Sequence, residues 1–261
     1  LFVTTSFNPT PKQIREARTL ASKLGVPFIE RKRASLNELF SELHQEKACI
    51  VTKQEWRYED IQGHVFFFHP NMSILRIKHL IKGMPDSFIQ SSGMEQGDHI
   101  LDCTLGMGAD AIVSSFVVGE QGRVVGLESE PAIAAIVQHG LKTYDSKRKP
   151  VNEAMRRIEV VQADYDSYLR ESPDCSYDIV CFDPMFRQTV KESAAMQALK
   201  PLANPAPLNK WAVKEALRVA RKAVLLKERV VSGEFERLGF QVVKEASNYA
   251  WGIIKPREGA W

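Results

Sequence analysis

Asp102 ends a short apolar stretch and opens the run Asp102-Cys103-Thr104-Leu105-Gly106-Met107-Gly108-Ala109-Asp110-Ala111, where a strand at residues 99–102 gives way to a helix at 111–118. Without a Cβ, Gly106 and Gly108 let the backbone approach a ligand, and the first amides of the following helix have no partners inside it. Many tight strand-to-helix turns use Gly-x-Gly for structural reasons alone, so the glycines decide little. The acid decides more: a carboxylate at position 102 repels a pyrophosphate and attracts ammonium and sulfonium charge. Glu128, at the end of the next apolar stretch, is spaced to accept hydrogen bonds from a ribose diol. Asp164, closing Val160-Val161-Gln162-Ala163-Asp164, can accept from an adenine amino group or cap the helix after it. Thr104, Asp110 and Ser129 lie in the same strand-end loops and complete the candidate cofactor contacts.

The strand-then-acid pattern recurs at Ile179-Val180-Cys181-Phe182-Asp183-Pro184-Met185-Phe186. A carboxylate and a strand-end carbonyl converging on one point can hold an exocyclic amine by its N–H groups and aim the nitrogen lone pair at an electrophilic methyl. Phe186 would stack on the base, which makes Asp183, Pro184 and Phe186 the catalytic candidates. Guanine suits such an acid because its ring N–H and amino group share one edge and can donate together to one carboxylate. Asp-Pro after a buried strand is also a common way to start a turn. Read together, the two strand ends form a methyl-donor site beside an amine-acceptor site, and the charge argument points to S-adenosyl-L-methionine as the donor.

These residues need a sheet to position them. From position 98 onward strands alternate with helices, the pattern of a parallel sheet covered on both faces. Strands are expected at 99–102, 123–127, 158–161, 177–182, 223–227, 240–244 and 249–254. The last two are too close for a helix between them and predict an antiparallel hairpin at one edge. Residues 142–157 are polar and basic and read as a loop or short irregular helix. Ahead of this lies a small α/β unit, residues 1–70, with strands at 1–5, 27–30, 48–52 and 65–68 and helices at 11–24 and 36–43. A helix at 74–82 bridges into the main domain, residues 71–261. Its basic side chains Arg76, Lys78, His79 and Lys82 read equally as a solvated face or as one turned toward substrate.

The chain of 261 residues, 44% hydrophobic and 26% charged, is long enough to bury a full core. A formal charge of +3 permits a polyanionic partner without requiring one. Cys49, Cys103, Cys175 and Cys181 lack metal-ligand or disulfide spacing, so neither zinc nor a disulfide framework is expected. No run of about 20 apolar residues and no charged-then-apolar leader is present. The expectation is therefore a cytoplasmic protein with no membrane span and no metal, its oligomeric state left open.

The motifs resemble those of the Rossmann-like S-adenosylmethionine-dependent methyltransferases, specifically the bacterial 16S ribosomal RNA guanine-N2 methyltransferase family, whose motifs read DATAGLGRDA and DPMFP. The resemblance covers 74–254: Ile77-Lys78-His79-Leu80-Ile81-Lys82-Gly83 before the core, DCTLGMGADA from Asp102, Glu128 with Pro131 close behind, Gln162-Ala163-Asp164, DPMF from Asp183, and VLLKERV from Val224. It implies a seven-stranded, mostly parallel methyltransferase sheet ending in an antiparallel hairpin. It also implies that Asp102, Gly106 and Gly108 hold the methionine part of the donor, Glu128 the ribose and Asp164 the adenine, with residues 183–186 at the acceptor. Ribosomal RNA is the implied partner. Met185, Arg187, Lys191, Lys210 and Lys227 are candidate substrate contacts at the same rim. Two departures bear on the substrate: Arg187 stands where the family pattern has Pro, and Ala109 replaces the Arg of GLGRD. The competing readings are an NAD-dependent oxidoreductase on a Rossmann sheet and a non-catalytic RNA-binding module on the same fold.

Overall fold

The computed structural model describes residues 1–184, 206–246 and 248–256. The chain divides into two compact units. One comprises Leu1–His69 with Glu130–Thr143; the other comprises Pro70–Ser129 and the described residues from Tyr144 on.

In the first unit a four-stranded sheet has the order β1 (Phe2–Thr5), β2 (Lys47–Val51), β3 (Trp56–Asp60), β4 (Val65–Phe67). β1 and β2 are parallel, and the other pairs are antiparallel. Helix α1 (Pro11–Leu24) starts at a capping box between Thr10 and Gln13, with Pro at its first position, and stops at Gly25 in the left-handed conformation. Its Ala17, Leu20 and Ala21 bury against Val3, Cys49 and Val51, a cluster that Ala132 and Ala135 of the later helix α6 (Pro131–Thr143) also join. Helix α2 (Leu36–Leu43) covers the other face through Leu36, Leu39 and Phe40 on Phe2, Ala48 and Ile50.

Two expectations fail here. Residues 27–30 make a single bridge from Phe28 to Val3 and no strand. β3 was not expected at all, because Arg57, Glu59 and Asp60 give it a polar run that conceals the strand period.

The second unit contains the expected seven-stranded sheet: β5 (His99–Asp102), β6 (Arg123–Glu128), β7 (Glu159–Gln162), β8 (Tyr177–Phe182), β9 (Ala220–Glu228), β10 (Gln241–Glu245) and β11 (Ala250–Ile254). Its spatial order is β10-β11-β9-β8-β5-β6-β7. β5 to β9 pair in parallel, and β11 inserts antiparallel between β9 and β10. The core is an almost unbroken set of branched and aromatic residues, including Leu101, Val125, Val180, Phe182, Val224 and Leu226. Around it lie α3 (Asn71–Ile81), α4 (Ser87–Ser92), α5 (Ala109–Val118), α7 (Lys149–Arg157), α8 (Tyr165–Glu171), α9 (Lys210–Val219) and α10 (Glu234–Leu238). The bridging helix α3 begins earlier than its periodicity suggests, directly after Pro70. Residues 149–157, expected as irregular, form the regular helix α7, since Val151, Ala154 and Met155 bury on one side of an otherwise charged segment.

The strand order matters most for function. The chain goes from β5 outward to β6 and β7, then returns to place β8 on the other side of β5. The order in which strands are added across the sheet therefore reverses between the parallel neighbours β5 and β8, and the crevice beyond their carboxyl ends is where open α/β sheets bind ligands.

Candidate active site

The two motifs meet because β5 and β8 are neighbours. Asp102 pairs in register with Cys181, and the Cys103 amide donates to the Cys181 carbonyl at 2.9 Å. The Asp183 amide donates to the Thr104 hydroxyl oxygen at 2.6 Å, so one threonine side chain fastens the second strand end to the first loop. The loop is seated from below by Leu105, whose amide donates to the Leu127 carbonyl at 2.9 Å. The Leu105 side chain lies where position 126 must lack a side chain: a Cβ on Gly126 would stand 2.5 Å from Leu105 Cδ1. Gly108, at φ 74°, makes the left-handed turn into α5. The Gly106 amide donates to Glu128 Oε2 at 3.2 Å, so Glu128 braces the glycine loop from the adjacent strand.

Charge is concentrated at this crevice in an unusual balance. The Lys227 ammonium, from β9, lies 2.7 Å from Asp183 Oδ2 and 3.7 Å from Asp110 Oδ2. Arg76, from α3, holds Asp86 through two bonds of 2.7 and 2.9 Å and reaches Asp110 Oδ1 with its third nitrogen. The result is a chain Asp86–Arg76–Asp110–Lys227–Asp183, with Asp102 beside it. Asp110 sits in the first turn of α5, where the helix dipole favours a carboxylate. Lys227 also lies 5.0 Å from the centre of the Tyr249 ring and 5.5 Å from that of Trp251, both in range of cation–π attraction.

Among the described residues four aspartates thus share two cations, and their protonation follows from it. Burial, then repulsion from Asp110, pushes the Asp102 carboxyl up to about 7, despite a 3.0 Å bond from the Thr104 amide that favours its charged form. Burial raises Asp183 as well; Lys227 pulls it back and Asp110 pushes it further up. Asp86 is held below the usual carboxylate range by Arg76 against the cost of its own burial. Lys227 is raised by Asp183 and Asp110 against the cost of its own burial, so it stays charged.

Of the residues singled out from sequence, the structure brings together Asp102, Thr104, Gly106, Gly108, Asp110, Glu128, Asp183 and Lys227 by the bonds just described. Pro184 follows, half-buried. Ser129 is exposed next to Glu128. Asp164 is exposed and caps α8 by accepting from the Asp166 amide at 2.9 Å. Lys210 is exposed at the start of α9, and Lys227 is engaged with Asp183 and Asp110 inside the crevice rather than out at a rim. Met185, Phe186, Arg187 and Lys191 lie outside the described residues. Sequence reasoning did not find Asp86, nor the inward turn of Arg76. The available signal was positional: Arg76 sits next to buried Ile77 and one turn from buried Ser73, on the side of α3 that a solvated arginine avoids. Lys78, His79 and Lys82 are exposed.

Residues 40–237 match the model of the family described as "Putative SAM-dependent methyltransferase". The chain belongs to this family. It is 36% identical to YpiP of Bacillus subtilis (strain 168) over 97% of its own length and 98% of that protein. It is also 26% identical to ribosomal RNA small subunit methyltransferase J of Chromobacterium violaceum over 83% of each chain. Among solved structures, the SAM-dependent methyltransferase NGO1261 of Neisseria gonorrhoeae shares the fold, with a TM-score of 0.62 at 14% identity, covering 100% of this chain and 97% of that one.

As a member of the family the protein is an S-adenosylmethionine-dependent methyltransferase, which sets aside both the oxidoreductase reading and the non-catalytic one. The crevice suits that cofactor on its own terms. Among the described residues its aspartates outnumber its cations, which would repel the pyrophosphate of a dinucleotide and favour a ligand bearing ammonium and sulfonium charge. Among the described residues no group of His, Cys, Asp and Glu is placed to hold a metal ion, and no helix is long and apolar enough to cross a membrane.

Proposed function

We propose that this methyltransferase acts on an exocyclic base amine in RNA, with guanine N2 of small-subunit ribosomal RNA as the acceptor. The observation that carries the reading is the Asp183 carboxylate, fixed by its own amide to the donor loop and by Lys227 through its side chain, at the strand end next to Asp102. The ribosomal part is supported by the names of relatives such as that of Chromobacterium violaceum.

In this reading Asp102, Thr104, Gly106 and Gly108 hold the methionine portion of the donor, with Asp110 fixing the helix start behind them. Glu128 and Ser129 face the ribose, and Asp164 faces the adenine. When bound, S-adenosylmethionine supplies a methyl group already activated on sulfonium, so the chain needs no nucleophile of its own. Asp183 accepts the amine N–H, turns the nitrogen lone pair toward that methyl and takes up the proton the amine must lose. A carboxyl raised by burial is better suited to that than an ordinary one. Lys227 keeps Asp183 in one orientation and ionised until the proton arrives. Positioning of this kind can supply much of the rate, because the reaction joins two bound groups.

Nucleoside mass spectrometry of small-subunit ribosomal RNA, incubated with the protein and isotopically labelled S-adenosylmethionine, tests the proposal. Labelled N2-methylguanosine is expected, and it should vanish with Asp183→Ala while calorimetry still shows donor binding. Label on another base, on a protein or on a small molecule would contradict the acceptor assignment.

A further inference from the structure

The first unit has a surface that the methyltransfer site does not use. Directly opposed residues of neighbouring strands share a face, so Ile50, Arg57 and Phe67 form one strip across the sheet. The cluster beneath α2 takes Ile50 and its neighbours on β1 and β2 and contains no residue of β3 or β4. The strip therefore continues past the helix as Arg57 and Phe67, both half-buried, with the His69 ring 5.5 Å from Phe67.

At the same end of the sheet, Phe7 is 52% exposed and carries the Arg31 guanidinium 4.2 Å from its ring centre. The Arg31 Nε donates to the Ala34 carbonyl at 3.2 Å, which holds the side chain in place. Burial and repulsion from Arg57 depress the Arg31 cation, so the two guanidinium groups feel each other. Among the described residues one carboxylate, Glu59, contacts Arg57, at 3.3 Å. The Nε of Arg57 is buried with no partner among the described residues. Two cations at this end of the sheet beside one acid attract an anion, and aromatic rings interleaved with arginines are what single-stranded nucleic acid stacks upon.

We propose that this face, Phe7 and Arg31 with Arg57 and Phe67, binds a single-stranded stretch of the RNA acceptor, its bases on the two phenylalanines and its phosphates on the two arginines. This rests on the RNA reading of the acceptor. Fluorescence anisotropy of the full chain with a labelled 12-nucleotide single-stranded RNA, over a series of salt concentrations, tests it. Phe7→Ala removes an exposed ring and should weaken binding about tenfold, the scale of one lost base stack, and Phe7→Trp should restore it. Arg57→Gln should weaken binding and flatten the log–log salt slope by about 0.7, one phosphate contact on a single strand. Calorimetric donor binding should stay unchanged in all three variants. Affinity and salt slope unmoved by these substitutions, equal affinity for the duplex of the same sequence, or no binding by the wild type would each overturn the inference. The acceptor reading fails separately: it falls if the wild type labels no RNA, and it stands if RNA is labelled while these variants behave as wild type.

Discussion

β5 and β8 each carry an aspartate near both ends, and the two ends treat their acids in opposite ways. At the amino end the two aspartates are paired with different cations. Asp98 faces Lys222 at 2.6 Å, and Asp178 takes two bonds from Arg221, of 2.9 and 2.8 Å, plus the His99 amide at 2.8 Å. The guanidinium and the amide hold Asp178 below its ordinary pKa. At the carboxyl end Asp102 and Asp183 share Lys227 with Asp110, and both are raised. The same residue type on the same two strands thus closes the fold at one end and, among the described residues, leaves negative charge uncompensated at the other. Uncompensated buried charge costs stability, and a site that bears that cost is a site for a ligand that supplies the missing cation.

Substitutions at the two ends should therefore differ in sign as well as in size. The largest effect is expected from Asp183→Asn, which should lower methyl transfer by about 10²–10⁴-fold, the usual range for a lost proton acceptor, with donor affinity nearly intact. Asp178→Asn should leave transfer close to wild type and lower stability by about 1–3 kcal/mol in denaturant melts, since it breaks a charged, doubly hydrogen-bonded pair.

Next comes Asp102→Asn. A carboxyl raised to about 7 gives the fold stability that is complete below the unfolded value, near 4, and is lost as pH rises through 7. The neutral amide keeps that stability, so the variant should melt with wild type in acid and above it at pH 8, while binding S-adenosylmethionine more weakly. For Asp178 the sign is opposite: its pKa is lowered, so its contribution is present at neutral pH and lost as pH falls through the folded value. Last comes Lys227→Met, read as a shift of the pH profile. Without the ammonium Asp183 rises further, and the acid limb of the kcat profile should move to higher pH, whereas Lys227→Arg should keep it near the wild-type position.

The contrast also shows what a linear sequence can carry. The parallel strands were legible because most of them are nearly continuous apolar runs, and the acids at their ends were legible because each follows such a run. β3 was not, since Arg57 and Glu59 share a face that the local pattern leaves polar. The helix at Lys149–Arg157 was hidden by its charge, its three buried residues being too few to stand out. Inside the site, the Thr104 bond to the Asp183 amide and the Arg76 bridge from Asp86 to Asp110 join residues far apart in the chain. No spacing rule reaches that far. Only the return of the chain to set β8 beside β5 makes them neighbours, and that also turns Lys227 from a plausible phosphate contact into the partner of Asp183.

The central claim is that the carboxyl end of the sheet holds negative charge in reserve for a cationic donor. Titration calorimetry of S-adenosylmethionine at pH 7, in buffers of different ionisation enthalpy, tests it most directly. With Asp102 partly protonated before binding and ionised after it, the account expects proton release on donor binding, and less of it with Asp102→Asn. A wild-type binding heat independent of the buffer would contradict it.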